Sequence, residues 1–302
     1  MWRLRRGCDM SPRVILGLIC TMRPHQWVKN LFVLAPLVFA KELGTLAPAL
    51  RTAAAFGLFC LASSAVYILN DLADVEADRA HPVKRQRPLA SGQVPTGVAR
   101  GVGLFLAGSV LAGSALLGPW VFTSIGGYLA LNLAYTFGLK RVAYLDVLSI
   151  TAGFELRVLT GTFAAQVPPT VYLLVVTFLL ATFLGFGKRL HELVPGEGAT
   201  RQRSALAGYD RKTLLTLLYV TGLATVVTYV VYTLDPANRT AFGTDYLLLS
   251  APMPLFGVLR FLHLVRTHPD VESPTEEMLR DKPFLANLAL WAVVVLALIY
   301  WA

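Results

Sequence analysis

Three aspartates stand at i, i+3 and i+7 in NDLADVEADRAHPVKRQRP, residues 70–88. On a continuous helix Asp71, Asp74 and Asp78 share one face, Glu76 points elsewhere, and Asn70 adds an amide oxygen beside them. Clustered carboxylates repel one another and are costly to keep ionised beside a membrane. A divalent cation removes that cost. Oxygen ligands without His or Cys suit Mg²⁺, with Mn²⁺ as the alternative ion. Asn70, Asp71, Asp74 and Asp78 are therefore the candidate metal ligands. Pro82 ends the helix, and Lys84, Arg85 and Arg87 follow where they can fold back over the acids. Guanidinium grips phosphate bidentately, whereas lysine acts as a point charge. Acids joined to bases in this way read as a site for a metal-bound diphosphate. The alternative is an interfacial loop whose charges neutralise one another.

Other polar stretches offer further candidates. LKRVAYLD, residues 139–146, sets Lys140 and Arg141 ahead of Asp146 at the start of an apolar segment. Asp146 either holds a second ion or a hydroxyl, or is an acid favoured by a helix N-terminus. GFGKRLHEL, residues 185–193, carries Lys188, Arg189 and Glu192. These residues suit a phosphate, although Lys188 and Glu192 at i, i+4 also suit a plain salt bridge. The lone His191 is not read as a ligand. Glu155 and Arg157 fall inside an apolar run, where ionisable groups default to function; the alternative is that either is half of a structural ion pair. RPHQWVKN, residues 23–30, reads as an interfacial anchor or as a segment that turns Lys29 and Asn30 toward the interior.

The elements that must position these residues are membrane helices. The chain has 302 residues, 55% hydrophobic and 15% charged, against about 25% charge in soluble domains. Apolar runs near 20 residues recur, which is the length that crosses a bilayer. We read an all-α, multi-pass bundle of nine transmembrane helices, at 27–41, 47–70, 98–117, 120–138, 143–163, 170–187, 213–234, 245–265 and 284–301. Residues 1–26 form an interfacial arm, amphipathic from Val14 to Lys29 and without a clear cleavage site. Residues 27–302 form the membrane domain, with polar cap loops at 71–97, 139–142 and 188–212. The net charge of +9 fits orientation better than nucleic acid. Lys and Arg concentrate in the arm, in those three loops and in 266–283, while the opposite side holds only Lys41, Arg51 and Arg239. That asymmetry places the cap loops in the cytoplasm. The three cysteines, Cys8, Cys20 and Cys60, lack metal-like spacing, and Cys60 reads as packing.

NDxxDxxxD after the second span, followed by RP-x-A-S-G at 87–92, resembles the hallmark of the UbiA superfamily of intramembrane prenyltransferases. The resemblance covers nearly the whole chain. It implies a helical bundle around a central cavity, polar caps on the cytoplasmic side, and Mg²⁺ between Asp-rich motifs and a diphosphate. The chain departs from the aromatic-prenylating members, which carry a second motif, DxxxD, where GKRLHEL stands here. The combination of RPHQWVKN, NDLADVEADRAHPVKRQRP, YTFGLK and FGKR is instead similar to the decaprenyl-phosphate phosphoribosyltransferase branch. That likeness implies transfer of 5-phosphoribosyl from 5-phosphoribosyl 1-diphosphate to a polyprenyl phosphate, for arabinan precursor synthesis at a bacterial plasma membrane. It implies Asp71, Asp74, Asp78 and Asp146 as catalytic. It implies Lys29, Asn70, Lys84, Arg85, Arg87, Tyr135, Lys140, Arg157, Lys188, Arg189 and Glu192 as substrate contacts. A donor with two phosphate groups and an acceptor with a third fit the surplus of bases. The expected partners are those two substrates and the bilayer, with homo-oligomerisation open and no nucleic acid. Two alternatives stand beside this reading. One is prenyl transfer to an aromatic acceptor, against which the replaced second motif argues. The other is a lipid or ion transporter, for which no internal repeat is evident.

Overall fold

In the computed structural model the described residues are 12–193, 204–267, 277–278 and 280–301, and their regular structure is helical throughout. Helix α1 (Pro12–Met22) leads into a 3₁₀ stretch, Pro24–Val33, and the short α2 (Ala35–Phe39). The long α3 (Leu46–Ala73) and short α4 (Val75–Ala80) carry the Asp motif. They are followed by α5 (Thr96–Leu117), α6 (Pro119–Phe137), α7 (Leu145–Ala165) and α8 (Val171–Glu192). The second half adds α9 (Arg211–Leu234), α10 (Pro236–Phe242), α11 (Pro252–Thr267) and α12 (Lys282–Tyr300).

Among the described residues, seven helical segments are long and apolar enough to cross a membrane: α3, α5, α7, α8, α9, Tyr246–Thr267 and α12. Helix α6 has the length, 19 residues, but it carries Thr123, Ser124, Asn132 and two glycines. The expected first span, 27–41, is not one α-helix. It divides into the 3₁₀ stretch and α2, with Ala35 and Pro36 opening the second piece. A proline removes a helix donor, so a break before Pro36 is natural. The 3₁₀ stretch lies directly on α7. A Cβ on Gly161 would meet the Val33 carbonyl oxygen at 1.9 Å, so only glycine admits this approach.

Two cores share α7. One packs Phe59, Val66, Val110, Ile125 and Tyr128 from α3, α5 and α6 around Ala164. The other packs Phe183, Leu214, Leu218 and Phe261 from α8, α9 and α11 around Val147. At the crossing of α7 and α8, a Cβ on Gly185 would lie 2.6 Å from Val147. That closeness brings the start of α7 against the end of α8. Large apolar side chains such as Leu104, Phe105, Val220 and Leu223 face outward, as lipid contact requires. Helix α1 buries Leu18 with Ile68, Leu89 and Val94, and leaves Ile15, Leu16 and Ile19 exposed. Residues 1–11 of the expected arm lie outside the described residues, as do 194–203 of the third cap loop.

Candidate functional site

The Asp motif sits where α3 ends. The helix runs through Asn70 and Asp71 but stops at Ala73. Asp74 has φ −100° and ψ 6°, and α4 begins after it. The expected single helical face for all three aspartates is thus corrected. Backbone hydrogen bonds bridge the break, from Asp74 N–H to Asn70 O at 3.0 Å and from Asp78 N–H to Asp74 O at 2.8 Å, but the carboxylates separate into two groups. Asp71 and Asp78, both buried, converge on one guanidinium. Arg87 Nη1 lies 2.8 Å from Asp78 Oδ2 and 3.5 Å from Asp71 Oδ1. Arg23 adds a bond of 2.6 Å from Nη2 to Asp71 Oδ1, with its guanidinium over the Tyr67 ring. Asp74 instead takes Lys140, whose Nζ lies 2.7 Å from Oδ1 and 3.1 Å from Oδ2. Glu76 points away to pair with Arg79 on the exposed side.

The arm after Pro82 does fold back. Residues Lys84–Gln86 form a 3₁₀ turn, and Arg87 returns to the acids from the residue that follows it. Lys84 is half-buried and Arg85 exposed, and neither ammonium nor guanidinium takes a carboxylate among the described residues. The end of α6 closes the group from another side, with Thr136 hydrogen-bonded to Asn70 Oδ1 and Tyr135 half-buried beside it. Three aspartates thus face Arg23, Arg87 and Lys140, and two further bases stand beside them.

A divalent cation fits this donor set. It is all oxygen, from Asn70, Asp71, Asp74 and Asp78. The Arg87 nitrogen already marks a cation position bracketed by Asp71 and Asp78. No three carboxylates or imidazoles converge on one point among the described residues. Two carboxylates completed by substrate oxygens is the ordinary Mg²⁺ arrangement.

The other predicted residues fall into separate settings. Asp146 is fully enclosed. Its Oδ1 accepts from Tyr209 OH and from Val147 N–H at 2.8 Å, and its Oδ2 lies 3.0 Å from Arg189 Nε. Arg189, 1% exposed, also pairs with Glu192. Lys188 is half-buried on the same turn. Arg157 lies deep in the bundle. Its Nε donates to Asn30 Oδ1 at 2.9 Å, Nη1 to Gly153 O at 2.8 Å and Nη2 to Tyr128 OH at 3.2 Å. The guanidinium stacks within 4.8–5.2 Å of the rings of Tyr128, Phe59 and Phe154. Its donors and its faces are thus engaged by protein, which suits the holding of the 3₁₀ stretch on α7. Neither Arg157 nor Glu155 forms an ion pair among the described residues, and Glu155 Oε1 is buried without a hydrogen-bond partner there. Asn30 is buried and Lys29 half-buried on the same stretch. Arg23, Thr136 and Tyr209 join these groups without having been singled out for such roles. Arg23 opens RPHQWVKN, but only the fold brings it across 48 residues to Asp71.

The UbiA prenyltransferase family matches residues 30–278. The chain belongs to that family. It is 33% identical to the decaprenyl-phosphate phosphoribosyltransferase of Mycolicibacterium smegmatis, over 96% of this chain and 94% of that protein. It is also 33% identical to the decaprenyl-phosphate phosphoribosyltransferase of Corynebacterium glutamicum, over 94% and 87%. Among solved structures, a UbiA homolog from Archaeoglobus fulgidus bound to DMAPP and Mg²⁺ superposes with a TM-score of 0.68 at 17% identity, over 95% of this chain and all of that one. Fold and family agree with the motif reading, and the chain is an integral membrane protein.

Proposed function

We propose that this UbiA-family chain transfers 5-phosphoribosyl from 5-phosphoribosyl 1-diphosphate to a polyprenyl phosphate such as decaprenyl phosphate, with release of diphosphate. The observation that carries the reading is its identity to decaprenyl-phosphate phosphoribosyltransferases along nearly its whole length. The site supports it: three aspartates meet three bases, and Lys84 and Arg85 stand beside them with no carboxylate of their own among the described residues. An aromatic prenyl transfer has a single diphosphate to hold, whereas this reaction brings a diphosphate, a 5-phosphate and a lipid phosphate together.

Asn70, Asp71, Asp74 and Asp78 would hold Mg²⁺. Bound there, the ion neutralises charge on the leaving diphosphate. Arg87 and Lys140, released from the carboxylates, turn to phosphate oxygens, and Lys84 and Arg85 add charge for the second phosphate group. The lipid phosphate is already anionic, so its attack on C1 needs no strong general base. The bond from C1 to the diphosphate oxygen breaks as the bond to the lipid phosphate oxygen forms. We place the cap loops on the cytoplasmic side, where the water-soluble donor is available, and count 24–39 and α6 with the seven long helices as the nine membrane-embedded elements. The role in arabinan precursor synthesis belongs to this same reading.

The test is transfer of radiolabel from 5-phosphoribosyl 1-diphosphate to a lipid-extractable product, using purified protein and polyprenyl phosphate. EDTA should stop transfer and Mg²⁺ restore it. Label that stays in the aqueous phase would exclude the proposal.

A further inference from the structure

Tyr144 adopts a backbone conformation that tyrosine rarely takes, with φ 66° and ψ −41°. Leu145 N–H donates to Ala143 O at 2.8 Å across it, so the residue forms a strained γ-turn. Such outliers persist only where the surroundings hold them. Here the holding group is Tyr209, which follows the 3₁₀ segment Ser204–Gly208. Its hydroxyl accepts the Tyr144 backbone N–H at 2.7 Å and donates to Asp146 Oδ1. The two rings pack with centroids 4.7 Å apart. Asp146 in turn faces Arg189 at the end of α8. The segment sits tightly, since a Cβ on Gly208 would lie 2.8 Å from Ala143. Burial and the hydrogen bond to Asp146 raise the Tyr209 pKa, which keeps the hydroxyl a donor. The Tyr209 hydroxyl thus ties 204–209 to 139–146, and Asp146 carries the link on to Arg189 at the end of α8.

What this clasp orients is the loop bearing Lys140, four residues before Tyr144, whose ammonium rests on Asp74. A buried ion pair adds little net stability, and the fold would be served as well by apolar packing at this point. We propose that Tyr209, with Asp146 and Arg189, is a positioning residue for the diphosphate site, fixing the 139–146 loop so that Lys140 meets the ligand held by the Asp motif. The inference rests on the functional reading above in taking that ligand to be a diphosphate. Asp146 then acts through the loop and not by contact with the substrate.

The experiment uses the full chain in nanodiscs and inorganic diphosphate with Mg²⁺ as the probe. Binding is measured by calorimetry for wild type and Tyr209→Phe, which keeps the ring and removes the hydroxyl. Loss of hydrogen bonds that hold a charged group in place should weaken binding about tenfold. Hydrogen exchange should rise in peptides covering 139–146 while α3 stays protected. Val295→Ala, in the α12 core, is the control for general loosening: it should lower the melting temperature and leave diphosphate affinity within about twofold. Tyr209→Phe binding like wild type would overturn the proposal, as would equal weakening by Val295→Ala or no binding to wild type at all. Tight wild-type binding without phosphoribosyl transfer would overturn the proposed reaction and leave the clasp standing.

Discussion

Asp74 is the residue on which the chemistry turns most sharply. It sits at the break between α3 and α4 and among the described residues has only Lys140 as its ionic partner, so its carboxylate exchanges partners at lower cost than the two buried aspartates. Asp74→Asn keeps the size and the helix break but loses the charge that attracts a cation. Turnover should fall at least about a hundredfold with an unchanged melting temperature, measured by label transfer beside a detergent melt. Near-normal turnover would sink the metal-site account. Arg157 predicts the opposite pattern. Its donors fix Asn30, Gly153 and Tyr128, so Arg157→Met leaves buried polar groups unsatisfied. Stability should drop by about 3 kcal/mol, and activity should fall in step with the folded fraction. A stable variant with a raised KM for the lipid substrate would return Arg157 to the substrate contacts.

At the scale of elements, the close approach of the 3₁₀ stretch to α7 makes Gly161 a sensitive position. A Cβ there overlaps backbone and not the tip of a flexible side chain, so Gly161→Ala should cost about 2–3 kcal/mol, read as a lower thermal midpoint. An unshifted midpoint would mean the two elements separate freely. The same contact marks where the sequence stopped being informative. Periodicity and length located α3, α5 to α9, α11 and α12 well, because each is a sustained apolar run. They could not foresee that 27–41 breaks at Pro36 or that Asp74 interrupts the Asp helix, since both are local backbone events within helical spacing. The acid–base pairing was legible as a composition, and the folding back of Arg87 followed from Pro82. The partners of each acid were not, because Arg23, Lys140 and Tyr209 reach Asp71, Asp74 and Asp146 across 48, 66 and 63 residues. Such pairings depend on helix order and crossing angle, which no local pattern encodes.

For the whole molecule, orientation decides whether the donor can reach the site. The contacts sort into two ends. At one, the Asp motif, Lys140, Asp146 and Arg189 are gathered by the ends of α3, α6, α7 and α8. At the other, Arg51 binds the carbonyls of Leu117 and Ala164, Lys41 that of Phe242, and Tyr300 OH that of Val38. The first end carries most of the basic residues, and by the positive-inside tendency it is the end we propose to face the cytoplasm. Single cysteines placed at Arg85 and Thr45, both exposed and at opposite ends, test this in a background with Cys8, Cys20 and Cys60 changed to serine. A membrane-impermeant maleimide should label the cysteine at 45 in spheroplasts and the cysteine at 85 only in inverted vesicles. The reverse pattern would put the acid–base site on the outer face, out of reach of a donor made in the cytosol. The proposed reaction would then fail even with every ion pair in place, because a phosphoribosyl diphosphate carries too much charge to cross an apolar bundle unaided.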